Sequence, residues 1–353
     1  MTQASRLQKK SYDETQTTMK AIVFQSKDQP LQIKEMQKPV PGKGELLIRL
    51  HYAALNHLDL WIWKEEILEK PVIPGSDGSG VVVDGGEGVD REWVGKEVII
   101  NPSLYWGDNE NVYSDKYEIL GNPANGTFAE YITISLDCVH EKPSHLSLKQ
   151  AAAVPLAALT AYRALFTKAQ LKSSDKVLVT GIGGGAALYL LQMAAAAGAS
   201  VYVTSSSEEK MEKAIQLGAK GAYNYKDENW VMEAKAEQGG FDVIVDSAGG
   251  NGFAQLTEAA NAGARMVLFG RTAGNINNLR PGLIYNKQLQ IMGTVMGTPA
   301  EFKAMLEFYS RHKLYPVLDK EFSLENIQEA ADYMKTGHHF GKIILKINDQ
   351  LQN

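Results

Sequence analysis

The sequence predicts an α/β protein in two parts, a β-rich half followed by a doubly wound parallel sheet. Three observations predict it. From Met19 to about Gly126, short apolar runs are separated by Pro-Gly, Gly-Lys-Gly and Gly-Gly turn signals, and helical patterning is sparse. From Gln150 to about Gly293, strand and helix patterns alternate, as in sheets whose crossovers are helices. Between them in weight stands Lys176–Ala199 (KVLVTGIGGGAALYLLQMAAAAGA), which passes from an apolar run through a four-glycine turn into a long apolar-periodic stretch.

Each element follows in order. Residues 1–18 are polar, without hydrophobic period, and read as a mobile leader; they lack the basic-then-apolar layout of a secretory signal. Order begins at Met19 with KAIVF, and LQIKEM, ELLIRLHYAAL, GSGVVVD and KEVIINP are further short strands. Without crossover helices these form a partly open barrel rather than a parallel sheet. The long loop Asn101–Gly126 carries Tyr105, Trp106, Tyr113 and Tyr117. It reads as a substrate mouth, a subunit contact, or a surface loop pinned by its own aromatics. Ala151–Phe166 is rich in alanine and leucine, and six strands follow at Val177–Thr180, Val201–Ser205, Gly221–Tyr225, Asp242–Asp246, Met266–Gly270 and Leu289–Gly293. A helix from Pro299 to about His312 comes next, then a helix and a strand that return to the first half. The expected division is a leader over 1–18, a first domain over 19–150 completed by 298–353, and a second over 151–297.

Bulk properties narrow the function classes. The chain has 353 residues, enough for two cores, and is 44% hydrophobic and 22% charged. A net charge of −5 gives no basic surplus and argues against a nucleic-acid partner. No apolar run reaches the roughly 18 to 20 residues that span a bilayer; the longest, Ala186–Ala199, is broken by Gln192. The single cysteine, Cys138, excludes an intrachain disulfide and a four-cysteine zinc site, and a reducing cytoplasm is the expected setting.

The glycine turn identifies a ligand class. Gly181, Gly183 and Ala186 satisfy G-x-G-x-x-G/A directly after a strand, with Gly184 and Gly185 between, which is the opening of a dinucleotide-binding βαβ unit. Glycines let the backbone approach a pyrophosphate, and a helix start offers unpaired N–H groups with a partial positive charge. NAD-specific sheets end the second strand on an acid that bonds the ribose hydroxyls. Here that strand ends in Thr204, Ser205, Ser206 and Ser207, with Lys210 soon after and Tyr225 closing the third strand. Neutral hydroxyls and an ammonium suit a 2′-phosphate, so the expected cofactor is NADP(H). Ser206-x-x-Glu209 also reads as a capping box that starts the next helix whatever the cofactor.

The ordered set MKAIVF, PGKGELLIRL, ALNHLDL, IPGSDGSGVV, VGKEVIINP, GTFAEY, LTAYRAL, VLVTGIGGGAA, FDVIVDSAG and FGKIILKI resembles the medium-chain dehydrogenase/reductase superfamily over roughly residues 19–347. The resemblance implies a GroES-like catalytic domain, made from the N-terminal stretch and the C-terminal tail, packed on a Rossmann domain with the active site in the cleft between. Within that family the chain looks closest to the zinc-free quinone oxidoreductase branch. Catalytic zinc needs about three Cys, His or carboxylate ligands. Where zinc-dependent relatives carry C-H-x-D this chain has Asn56-His57-Leu58-Asp59, and where they carry P-G-H-E it has Pro74-Gly75-Ser76-Asp77. Their four-cysteine structural lobe corresponds to Asn101–Gly126, which has no cysteine. Asp77, His57 and His51 read as hydrogen-bonded structural residues.

Without zinc, protein dipoles must hold the electrophile. Asn56 stands where the metal ligand would be and is placed to orient nicotinamide or bond a substrate oxygen. Thr160 resembles the family threonine at the nicotinamide end. Tyr52 is a proton-donor candidate that equally reads as a core tyrosine. Phe269 and Gly270 end a strand at its carboxyl side, where ligands bind in such sheets. The reading is a soluble NADPH-dependent, zinc-free oxidoreductase acting on a quinone or other conjugated carbonyl. It is expected to form a homodimer through the edge strand Leu289–Val295. An enoyl-thioester reductase, a zinc-free alcohol or aldehyde reductase, and an NADPH-binding redox sensor with little turnover share these motifs.

Overall fold

The computed structural model describes residues 17–27, 30–65 and 67–348, so most of the expected leader lies outside the described residues. The chain forms two compact units. The first takes in residues up to Leu156, together with Thr298–Ser310 and the chain from Leu318 on; the second takes in Ala157–Gly297 and Arg311–Val317.

The first unit is β-rich and almost wholly antiparallel. Its larger sheet runs Val139–Glu141, Glu97–Ile100, Asp77–Gly85, Glu45–Ala54, Lys342–Lys346 and Leu318–Ser323, with Tyr131–Ser135 also paired to Glu45–Ala54. Only the last pair is parallel, and the helix Ile327–Lys335 makes the crossover that a parallel pair requires. The run ELLIRL is apolar on both faces because both are covered. Leu46, Ile48 and Leu50 pack with Val82, Val98 and Ile100, while Leu47 turns the other way onto Met19, Ala21 and Ile73. A three-stranded antiparallel sheet of Gln32–Gln37, Thr18–Ser26 and Ile67–Val72 completes the unit.

The long loop is folded on itself. Ser103–Leu104 pairs with Glu118–Ile119. Trp106, 2% exposed, sits edge-on to Tyr113 and Tyr117, whose rings stack at 4.6 Å. Its indole N–H donates to the Asn109 carbonyl at 3.0 Å. Trp106, Tyr113 and Tyr117 thus pack on one another within the loop, whereas Tyr105 is 66% exposed.

The second unit holds a six-stranded sheet. From edge to edge it runs Gly221–Asn224, Ser200–Ser205, Lys176–Val179, Phe241–Asp246, Ala260–Leu268 and Gln290–Gly293, all parallel. Starting from the third position, the chain winds outward to one edge and then to the other, so the order reverses beside Lys176–Val179. Ligands bind at the carboxyl ends of strands at such a switch point. Val177, Leu178, Val179, Val243, Ile244 and Val245 are fully buried, as expected of strands covered on both faces. The fifth strand begins six residues earlier than the sequence predicts. Ala260 already pairs with Phe241, and a register irregularity between Phe241 and Val243 takes up the residues between Ala260 and Arg265.

Candidate active site

In the second unit the glycine turn has the backbone its sequence demands. Gly181 and Gly183 lie at φ of 65° and 123°, conformations that a side chain disfavours. Ile182 N–H bonds the Thr204 carbonyl at 2.9 Å, tying the turn to the end of the second strand. The helix Gly185–Ala196 starts at Gly184, and no side chain caps it. Its first-turn N–H groups and dipole therefore face whatever anion the turn receives. Behind the turn, Asp246 accepts from Thr180 Oγ1 at 2.6 Å and from Gly249 N–H at 2.7 Å, joining the ends of two neighbouring strands. Phe269 follows its strand with its N–H on the Asp246 carbonyl. A Cβ on Gly270 would come within 2.0 Å of the Ser247 carbonyl oxygen, so that position admits only glycine. These residues fit a dinucleotide: Gly181, Gly183, Gly184, Gly185 and Ala186 would hold the pyrophosphate, and the group would supply hydride chemistry.

The end of the second strand differs from the sequence reading in one respect. The helix Glu208–Gln216 is capped by Ser207, whose hydroxyl accepts the Lys210 N–H at 3.3 Å. The expected box of Ser206 with Glu209 is displaced by one residue, because Ser205 Oγ takes the Ser207 N–H at 3.1 Å and sets the chain one step further before the helix begins. Ser206 is thereby left exposed, and the Tyr225 hydroxyl donates to its Oγ at 3.2 Å. The Lys210 side chain lies across the glycine turn: a Cβ on Gly183 would meet its Nζ at 3.0 Å. Ser205 itself is buried. The structure therefore brings Lys210, Ser206 and Tyr225 to the end of the second strand, with the glycine turn under the lysine.

In the first unit, Asn56 closes the strand Glu45–Ala54 and precedes the helix His57–Glu65. It belongs to a buried polar cluster. Lys342 Nζ lies 2.6 Å from Asn56 Oδ1 and 2.8 Å from Asp77 Oδ2, and Asn56 Nδ2 donates to the same Asp77 oxygen at 2.9 Å. Asp77 Oδ1 accepts the Leu156 N–H at 2.7 Å, in the first turn of the helix Pro155–Tyr162. That bond satisfies an orphan helix donor and sets the carboxylate at the positive end of the helix. Asp59 Oδ2 accepts the Asn56 backbone N–H at 2.8 Å. Burial pushes the Asp59 carboxyl up to about 7, against the lowering effect of that bond and of the Lys342 charge.

This donor set does not fit zinc. The point between Asn56 and Asp77 already holds an ammonium, and both of their inward oxygens are bonded to it. The Ser76 hydroxyl turns away to the Leu120 carbonyl at 2.8 Å. His57 packs its ring on His339 at 5.6 Å. Among the described residues, no group of three or more His, Cys, Asp or Glu is arranged to hold a metal ion.

The remaining candidates are separately placed. Thr160 is buried on the helix Pro155–Tyr162. Tyr52 is half-buried, packs with Ala54, Ala153, Ile344 and Leu318, and forms no hydrogen bond with Asn56, Asp77 or Lys342. Lys342 was not singled out in the sequence. Its signal was a lysine opening the apolar strand KIILK, and a strand-end lysine does not announce which way it points.

The chain matches two family models, the alcohol dehydrogenase GroES-like domain over residues 42–144 and the zinc-binding dehydrogenase over residues 185–311. It is 35% identical over 346 residues to the zinc-type alcohol dehydrogenase-like protein YogA of Leptosphaeria maculans, covering 90% of this chain and 95% of that one. The chain belongs to the medium-chain dehydrogenase/reductase superfamily. A solved NAD-dependent alcohol dehydrogenase in this superfamily superposes with a TM-score of 0.87 at 33% identity, covering 94% of this chain and 100% of its own. Human quinone oxidoreductase is 27% identical over 319 residues, covering 87% and 90%. The superfamily places the chain among oxidoreductases that bind a nicotinamide cofactor. No helix among the described residues is long and apolar enough to cross a membrane.

Proposed function

We propose that the chain is an NADPH-dependent, zinc-independent oxidoreductase that delivers hydride to a quinone or another conjugated carbonyl. The observation that carries this reading is the Lys342 ammonium seated between Asn56 and Asp77, where a metal-dependent relative would need its ligands free. A simple aldehyde or ketone concentrates charge on one oxygen during reduction and benefits most from a Lewis acid. A quinone or enone spreads that charge through its conjugation, and hydrogen-bond donors suffice. In this reading residues 19–150 with 298–353 form the catalytic domain and 151–297 the cofactor domain. Asn56 serves the substrate or the nicotinamide, Thr160 the nicotinamide, and Lys210, Ser206 and Tyr225 the 2′-phosphate. The working form is a cytoplasmic homodimer.

A panel of quinones, enones, enoyl thioesters and simple aldehydes, assayed with NADPH and with NADH, tests the reading. The expected result is turnover of quinones or enones, faster with NADPH. Tight NADPH binding with no turnover of any acceptor would replace it with the sensor reading, and preference for a simple aldehyde would replace it with that of an alcohol or aldehyde reductase.

A further inference from the structure

The orientation of the Asn56 amide is fixed by chemistry. An ammonium only donates, so the end facing Lys342 is the oxygen; a carboxylate only accepts, so the end facing Asp77 is the nitrogen. The hydrogen bonds then leave a definite remainder. Asp77 spends both oxygens, one on Leu156 N–H and the other on Asn56 and Lys342, and is fully buried. Asn56 Nδ2 has two hydrogens and uses one, and Lys342 Nζ has three and uses two. Asn56 and Lys342 keep 6% and 3% of their surface exposed. The Asp77 carboxylate is sealed beneath, Asp59 is 1% exposed and held on the Asn56 backbone N–H, and the unspent hydrogens of Asn56 Nδ2 and Lys342 Nζ are donors.

We propose that Lys342 and Asn56 together form a donor-only hole for the substrate's carbonyl oxygen, with Asp77 as the positioning residue that holds both. The inference rests on the hydride-transfer reading and names a residue beyond it. Reduction of a conjugated carbonyl adds a hydride with its electron pair at the β-carbon. Charge gathers on the carbonyl oxygen until a proton from water, taken at the α-carbon, leaves the saturated carbonyl. The two electrons come from a reduced nicotinamide, which loses the hydride. A hole with donors and no acceptor binds that oxygen more strongly as its charge grows, which is the requirement for lowering the barrier. The ammonium also draws electron density through the amide oxygen, so the spare N–H of Asn56 is a stronger donor than a free carboxamide.

The test uses 4-nitrophenol, whose absorbance reports whether its oxygen is ionised. Wild-type protein is expected to bind the phenolate about ten- to a hundred-fold more tightly than the neutral phenol, the range of one hydrogen bond to a charged group. Lys342→Met paired with Asp77→Asn removes ammonium and carboxylate together, so no buried charge is orphaned; this pair should abolish the preference and lower kcat more than it raises the cofactor's Kd. Asn56→Asp keeps the shape and the lysine bond but turns the remaining donor into an acceptor, and should also abolish the preference. A wild type that binds both forms equally overturns the proposal. So does a paired variant that loses cofactor affinity with kcat unchanged, since the ammonium would then serve the cofactor's phosphates. A phenolate preference in a protein that reduces no conjugated carbonyl supports the hole and sinks the functional reading; unchanged kcat in the paired variant of an active enzyme does the reverse.

Discussion

At the scale of single residues, the proposed choice of NADPH over NADH rests on charge placement. Lys210 lies over the glycine turn, and the hydroxyls of Ser206 and Tyr225 are already in contact. A hydrogen bond to a charged group contributes roughly 1.5 to 3 kcal/mol, and about 1.4 kcal/mol is tenfold in affinity. Lys210→Ala should therefore weaken NADPH on the order of ten- to a hundred-fold while leaving NADH almost unchanged, measured by titrating each cofactor at fixed salt. Equal losses for both would mean that the 2′-phosphate is read elsewhere. A second residue sets a pH dependence. The Asp59 carboxyl titrates at about 7 when folded, pushed up by burial among Asn56, Asp77 and Lys342, and near its ordinary value of 3.8 when unfolded. Between these values the folded protein holds a proton that the unfolded chain has released, so stability falls as pH rises from about 4 to 7. Asp59→Asn should flatten that decline, as read from urea midpoints across the window; an unchanged slope would assign it to other groups. The places of Asn56, Ser206, Lys210 and Tyr225 in the fold were legible because local motifs fix their positions. Lys342 was not, since it joins Asn56 from 286 positions away in the chain and only the folded sheet brings them together.

At the scale of elements, the strand Gln290–Gly293 is the exposed edge of the parallel sheet. It pairs with Ala260–Leu268 on one side, and Ile291 and Val295 are 36% and 38% exposed. An apolar edge with unpaired backbone groups invites a second strand. The expected outcome is a homodimer joined along this edge at micromolar concentration by light scattering. Ile291→Lys should shift it toward monomer, because a buried charge would face its own copy. A wild-type monomer would rule the pairing out. The six strands were legible in order and kind because the inner ones are continuous apolar runs that alternate with helical patterns; the boundaries were less so. The fifth strand reads from Met266 and instead begins at Ala260, where pairing with Phe241 and the Gly263 N–H bond to the Lys287 carbonyl extend it in ways composition does not reveal. The helix cap moved from Ser206 to Ser207 for a similar reason. Three consecutive serines offer equivalent hydroxyls, and the Ser205 Oγ bond to Ser207 N–H decides among them.

At the scale of the whole molecule, two regions where zinc-dependent relatives are expected to use metal hold other contacts here. In one, the Lys342 ammonium neutralises Asp77 and bonds Asn56. In the other, Trp106 anchors Asn101–Gly126 against Tyr113 and Tyr117. The β-rich unit and the parallel sheet were both legible from their contrasting patterns, and a loop pinned by its aromatics was among the readings open from sequence; the Lys342 cluster was not, because its side chains meet only in the fold. A metal would have to displace a buried ion pair at the first region and find no thiolate at the second. The purified protein should therefore carry substoichiometric zinc by elemental analysis, and a strong chelator should leave both its turnover and its melting temperature unchanged. Trp106→Ala, by contrast, should destabilise it by about 3 to 5 kcal/mol, the usual cost of emptying a buried tryptophan site. Chelator and mutation thus make opposite predictions for what holds the lobe together. One tightly bound zinc per chain, with activity or melting temperature lost to the chelator, would return the molecule to the metal-dependent part of its superfamily.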